Sequence, residues 1–235
     1  TTRGEDTGNL YLETPRLTLR NGARVSASSL GVGDGGTVTV IAPEFVEISG
    51  VSADGRSPSG LFSFSGELNL TTGRIDGTGA SGDLTLVTGD LTIRNGGTIS
   101  VSSLTDKQAG NLRVNAASIR LENRGRIEAE NQAGDRGNIT LVTQTLQLRQ
   151  GSQISTNAGS ADGGNITINT ATLAALENSD ITANAKAGSG GRVIINAQGI
   201  YGTQFREQLT LDSDITATSE LGAQFSGIVQ INTPD

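Results

Sequence analysis

Apolar and polar residues alternate along this chain in short bursts, and the bursts return at a fixed interval. One phrase opens each of them: Gly8-Asn9-Leu10-Tyr11-Leu12, Gly82-Asp83-Leu84-Thr85-Leu86, Gly110-Asn111-Leu112-Arg113-Val114, Gly137-Asn138-Ile139-Thr140-Leu141 and Gly164-Asn165-Ile166-Thr167-Ile168. The last four leading glycines lie 28, 27 and 27 residues apart. Counted from each leading Gly, apolar residues fall at offsets 2 and 4, 9 and 11, and 17 and 19. One copy gives Leu112/Val114, Ile119/Leu121 and Ile127/Ala129; the next gives Ile139/Leu141, Leu146/Leu148 and Ile154/Thr156. A pair of apolar residues separated by one polar residue marks a strand buried on one face, so each repeat is predicted to hold three short strands. A single turn of this kind cannot bury its apolar face. Stacking the same offsets at ~4.8 Å per rung pairs every backbone group with the rungs above and below. The pattern therefore predicts an all-β chain: one parallel β-helix (solenoid) over residues 1–235, with about 27 residues and three short strands per rung. No window sustains the i, i+3, i+4, i+7 pattern of a helix.

A corner follows offset 11, where Asn21-Gly22, Asn95-Gly96, Gln150-Gly151 and Glu177-Asn178 stand. Gly and Asn are the residues that best tolerate positive φ, so a left-handed corner is predicted. Arg124 breaks the pattern there, with Gly125 displaced by one position. Two stretches depart from the period, near residues 50–65 and 199–208, and are read as insertions leaving the stack as loops. The leucine-rich-repeat phrase, which would suit a similar period, is missing. Neither end carries a polar cap: Leu10 follows Gly8 almost at once, and Gly227-Ile228-Val229-Gln230-Ile231-Asn232 opens a last rung. Open ends of this kind are expected to continue in a longer chain or to stack on another copy.

Composition narrows the picture. The 33 glycines among 235 residues are about twice average usage, yet no strict G-X-Y period appears, which excludes collagen. With 3% aromatic residues and no Trp, the interior must be thin and built from Leu, Ile, Val and Ala. A net charge of −7 argues against nucleic acid as a partner, since such binders concentrate Lys and Arg on one face. The chain has no Cys, which excludes disulfides and Cys-ligated metal, and no run of ~18 apolar residues that would span a membrane as a helix.

Candidate chemistry is sparse. The absence of His removes the commonest general base and metal ligand. Outward offset 10 carries Thr18, Thr92, Arg120, Gln147 and Ala174, and offset 18 carries Ser26, Ser100, Glu128, Ser155 and Thr182. Neither column holds two adjacent carboxylates, as acid–base chemistry on neighbouring rungs would require. No catalytic residue is assigned. The column Asn9, Asp83, Asn111, Asn138 and Asn165 reads as a hydrogen-bonded ladder of stacked side chains. Asp34, Asp135 and Asp162 each precede a leading Gly by two residues. They are weak calcium candidates, because Ca²⁺ accepts carboxylate and backbone oxygens; solvated turn acids are the plainer reading. Five of the seven aromatics, Phe62, Phe64, Tyr201, Phe205 and Phe225, lie in or beside the irregular stretches. With Asp54 and Arg56 they mark candidate interaction loops, or else cover the core where the ladder is interrupted.

The phrases Leu17-Thr18-Leu19-Arg20-Asn21-Gly22-Ala23-Arg24-Val25-Ser26-Ala27-Ser28 and Val51-Ser52-Ala53-Asp54-Gly55-Arg56-Ser57-Pro58-Ser59-Gly60-Leu61-Phe62 resemble repeats of filamentous-haemagglutinin-like exoproteins, the passengers of two-partner secretion found in cyanobacteria. Gly199-Ile200-Tyr201-Gly202-Thr203-Gln204-Phe205-Arg206, followed by Ser213-Asp214-Ile215-Thr216-Ala217-Thr218-Ser219, is similar to a segment near the end of such passengers. The resemblance implies a right-handed helix, a secreted cell-surface location and export through an outer-membrane pore. The family's Asn-Pro-Asn-Gly secretion phrase is missing, so the chain resembles a downstream stalk. Three functions follow as expectations. The first is a non-catalytic adhesive stalk contacting carbohydrate or protein on a host or neighbouring cell. The second is an extracellular matrix filament subunit that self-associates end to end. The third, disfavoured by the empty carboxylate columns, is a polysaccharide-active enzyme.

Overall fold

The computed structural model describes residues 6–69, 72, 74–134 and 137–234. The first repeat holds β1 (Leu10–Glu13), β2 (Arg16–Arg20) and β3 (Arg24–Ser26). The second holds β4 (Val38–Ser49) and β5 (Gly60–Phe62), followed by a hairpin of β6 (Glu67–Asn69) and β7 (Arg74–Asp76). Then come β8 (Leu84–Arg94) with β9 (Thr98–Ser100), and β10 (Asn111–Glu122) with β11 (Arg126–Glu128). The fifth repeat has β12 (Asn138–Val142), β13 (Thr145–Leu148) and β14 (Gln153–Ser155), and the sixth has β15 (Asn165–Ala175) and β16 (Asp180–Thr182). The seventh has β17 (Arg192–Tyr201), β18 (Thr203–Phe205), β19 (Ser213–Thr216) and a 3-10 turn at Ala223–Phe225, before β20 (Ile228–Asn232).

The chain is all-β, with two long parallel sheets. Sheet 1 has ten strands along the path β1-β4-β8-β10-β12-β15-β17-β20, with β2 and β13 joining beside it, and sheet 2 runs β18-β19-β16-β14-β11-β9-β5-β3. Register follows the repeat: Leu112 pairs with Leu84 and Ile139, and Ile127 with Ile99 and Ile154. A third, shorter line of parallel bridges links Ser29, Ser65, Ser103, Asn131, Ala158, Ala185 and Ser219.

The expected three strands per repeat are corrected to two in most repeats, because the first two fuse into one continuous strand that bends; only β1/β2 and β12/β13 remain separate. Along β8 the buried residues are Leu84, Leu86 and Thr88, then Leu91 and Ile93, so the alternation slips by one residue at Gly89-Asp90. Threonine hydroxyls satisfy the bend. Thr88 Oγ1 donates to the Ala42 carbonyl at 2.7 Å, Thr143 Oγ1 to Ala117 at 3.0 Å, and Thr170 Oγ1 to Gln144 at 3.1 Å.

The leading glycines are needed for close approach: a Cβ on Gly110, Gly164 or Gly191 would collide with the carbonyl oxygen of the preceding leading glycine. The left-handed corner holds two consecutive residues, as in Asn21 (φ 55°) with Gly22 (φ 86°) and Glu177 (φ 60°) with Asn178 (φ 55°). Arg124, expected to break the corner, adopts it instead at φ 65° beside Asn123 at φ 44°.

Between the sheets runs a single apolar core. Leu84, Leu86, Leu91, Ile93, Ile99, Leu121, Ile127, Leu148, Ile154, Ile166 and Ile181 have no exposed surface. Each such side chain contributes roughly 1.5–3 kcal/mol by leaving water. Of the stretch near 50–65, only the segment closed by the Val51–Pro58 bridge leaves the stack as a short loop; Gly60–Phe62 return to it as β5, paired with β3 and β9, and Ser65 joins the third line of bridges. The second insertion does not stay a loop. Residues Thr203–Phe205 return as β18 and pair in parallel with β19, which follows it in the chain.

Candidate contact face on the second sheet

In sheet 2, Ile99, Ile127, Ile154, Ile181 and Ile215, from β9, β11, β14, β16 and β19, point into the core. Their neighbours on either side must therefore face outward. Several of them are nonetheless buried: Ser100, Ser155, Thr182, Asp214 and Thr216. The chain bends just after these strands, and side chains two residues further on fold back over them. Ser100 Oγ lies 2.9 Å from Ser102 Oγ, and Ser155 Oγ donates to Glu130 Oε1 at 2.7 Å. Asn157 Oδ1 accepts from the Asn184 N–H at 2.9 Å, and Asn184 Oδ1 from the Thr218 N–H at 2.8 Å. The result is a recessed polar seam running along the stack, lined by small hydroxyls, amides and two glutamates.

Glu128 and Glu130 sit at the middle of the seam, two residues apart on and just beyond β11. The Glu128 side chain is only 16% exposed, with Arg126 Nη1 at 3.3 Å. Burial, and then the neighbouring Glu130 charge, push its carboxyl up to about 7 against the opposing pull of Arg126. Glu130 accepts the Ser155 hydroxyl, and its own N–H donates to Ser102 Oγ at 3.1 Å. The pair thus sets a carboxyl raised by burial beside a second one that is held by a hydroxyl donor. Comparing columns rung by rung missed this pair, because its members are neighbours along one strand. The signal was present as Arg126-Ile127-Glu128-Ala129-Glu130, two acids on one face of a strand.

The candidate aromatics fall into two groups. Phe62 lies on β5 only 4% exposed, packed edge-on to Phe64 with ring centroids 6.4 Å apart. The Arg24 guanidinium caps both rings, 3.9 Å from the Phe62 centroid and 5.5 Å from that of Phe64. This cluster closes one end of the seam. Asp54 and Arg56 occupy the exposed loop beside it, where Asp54 accepts from the Ser52 hydroxyl and from the Arg56 N–H at 3.1 Å, which holds its carboxyl below the usual range. Tyr201, Phe205 and Phe225 are exposed at the other end. Phe205 stands in register with Ile215 and so covers the core column there. The two insertions leave the same corner of the stack in the second and seventh repeats, about 24 Å apart at ~4.8 Å per repeat, and are not brought together.

The turn acids have structural partners. Asp34 Oδ1 accepts from the Ala80 N–H and Asp162 Oδ1 from the Ser189 N–H, each at 2.7 Å and each reaching the next repeat. They line one shallow groove of about 1000 Å³ with Asp106 and Lys107. Asp135 lies outside the described residues. Among the described residues no three His, Cys, Asp or Glu side chains converge as a metal site would require. The amide ladder is formed as expected: Asn138 Nδ2 donates to Asn111 Oδ1 at 2.8 Å, and Asn165 Nδ2 to Asn138 Oδ1 at 2.9 Å. Compared with protein families, curated proteins and solved structures, the chain matches none.

Proposed function

We propose that the chain is a right-handed parallel β-helix serving as a non-catalytic adhesive stalk segment of a secreted bacterial surface protein of the filamentous-haemagglutinin type. The observation that carries this reading is the parallel registry from Leu10 to Asn232, shifted by a bulge between Ala42 and Phe45, in which each repeat's inward residues lie on those of the last. Such a stack is stiff along its length and presents its side chains at fixed spacing, as a spacer between surfaces requires. The recessed seam and the loops at its two ends supply contacts to carbohydrate or protein on a neighbouring cell. The resemblance of the repeats supports the extracellular location and the export route.

Electron microscopy of the purified chain over a range of concentrations, with and without calcium, tests the reading. Short isolated rods at every concentration are expected. Filaments of uniform width that lengthen with concentration would overturn it in favour of a self-assembling matrix subunit.

A further inference from the structure

The tripeptide Arg-Asn-Gly occurs twice, as Arg20-Asn21-Gly22 and Arg94-Asn95-Gly96, and these hold both Asn-Gly pairs of the chain. Each forms the same left-handed corner, with φ of 55° and 86° in the first and 54° and 79° in the second. Both asparagines are exposed to water. Asn before Gly is chemically labile, because no side chain on the following residue hinders that residue's nitrogen from attacking the asparagine's own amide. The attack forms a bond from the glycine nitrogen to Cγ, the nitrogen loses its proton and ammonia leaves. Water then opens the cyclic imide to aspartate or isoaspartate.

With sequence and backbone alike, the surroundings set the rate. Asn95 is tethered to the repeats on both sides: its Nδ2 donates to Ser49 Oγ at 3.2 Å, and its Oδ1 accepts from Asn123 Nδ2 at 2.9 Å. The amide must break both bonds before it can swing onto the nitrogen. Asn21 has no such tether. The place beside it in the next repeat is held by Gly50, which offers no side chain, and the Asn21 amide has no hydrogen-bond partner among the described residues. The attacking nitrogens are bonded in both corners, Gly22 N–H to Ser59 Oγ at 2.8 Å and Gly96 N–H to the Asn123 carbonyl at 3.1 Å. The two sites therefore differ chiefly in the hold on the amide under attack.

We infer that Asn21 is a site of spontaneous deamidation in the folded chain, and that Asn95 is protected by its side-chain tethers. Conversion at Asn21 adds a negative charge next to Arg20, and the isoaspartyl product puts an additional main-chain atom into the turn between β2 and β3. The lesion thus falls on the first repeat, while the corner at Asn95, in the interior of the stack, is spared.

The test is to incubate the full chain at mildly alkaline pH, folded and in parallel unfolded in urea, and to follow the Asn-to-Asp mass change at each site by peptide mapping. In urea the two sites should convert at similar rates. In the folded chain Asn21 should convert at least five-fold faster than Asn95. A variant carrying Ser49→Ala and Asn123→Gly removes both tethers, keeps both backbone carbonyls and suits the left-handed position at 123; it should speed Asn95 at least three-fold and leave Asn21 unchanged. Equal rates in the folded chain, or faster conversion at Asn95, overturn the inference. So does an unaltered rate at Asn95 in the folded double variant, which would trace the speed at Asn21 to a general loosening of the first repeat. If the double variant lost its cooperative thermal transition, the comparison of the two sites in the unaltered chain would remain decisive.

Discussion

At Arg124 a long, β-carbon-bearing side chain occupies a left-handed position that Gly22, Gly96 and Gly151 fill in other repeats. The Cβ of an L-residue crowds the following carbonyl there, at a cost of roughly 1–2 kcal/mol, part of which a glycine returns through its freer unfolded state. Arg124→Gly should therefore stabilise the chain by about 0.5–1 kcal/mol, read as a higher urea midpoint at unchanged slope; a lower midpoint would mean that the arginine makes compensating contacts. Glu128 acts through protonation. Its carboxyl is raised from 4.5 to about 7, so between those values the folded chain holds a proton that the unfolded chain has released. Stability then falls as pH rises through that window and levels off above about 7, by up to about 3 kcal/mol. Glu128→Gln should remove most of the difference in melting temperature between pH 5 and pH 8, and an unaltered difference would place the proton elsewhere. Arg126 and Glu130 are the charged groups that set the size of this effect.

Strands carry the part of the architecture that was legible in the sequence. Leu112, Val114, Ile119, Leu121, Ile127 and Ala129 are all buried, as their offsets require, because period-2 alternation and the spacing of the leading glycines are local signals that burial enforces at every repeat. Three features were not legible. The fusion of the first two strands follows from continuous pairing with the neighbouring repeats, a contact across 27 residues or more that no local pattern reveals. The return of Thr203-Gln204-Phe205 as a strand follows from free backbone groups at the edge of β19, not from its own apolar pattern. The recessed seam arises from a bend that buries outward positions, so alternation alone assigned Ser155 and Thr182 to solvent. A fully buried column residue gives the sharpest check on register. Leu148→Asp places an unpaired charge in the core and should cost about 4 kcal/mol or more, seen as loss of the cooperative thermal transition. An unchanged melting temperature would show that this position faces outward.

For the molecule as a whole, nearly all cohesion runs between adjacent repeats, and the pairs that hold it are separated by about one repeat in sequence, as between Leu84 and Leu112 or Ile154 and Ile181. A charge of −7 spread over such a stack favours separate particles over clumped ones. Chain order and spatial order coincide from β3 to β16 along sheet 2 and then cross: β18 precedes β19 but lies beyond it. Under tension that order matters. A stack built in sequence unspools from its end like thread from a reel, each edge strand letting go of one neighbour at a time. Pulled from the side of residue 232, this chain gives up β20 first and then meets β19, which is bonded to β16 on one side and to β18 on the other. Both ladders must part before the pull can travel further, so the crossing works as a hitch in the line at the seventh repeat.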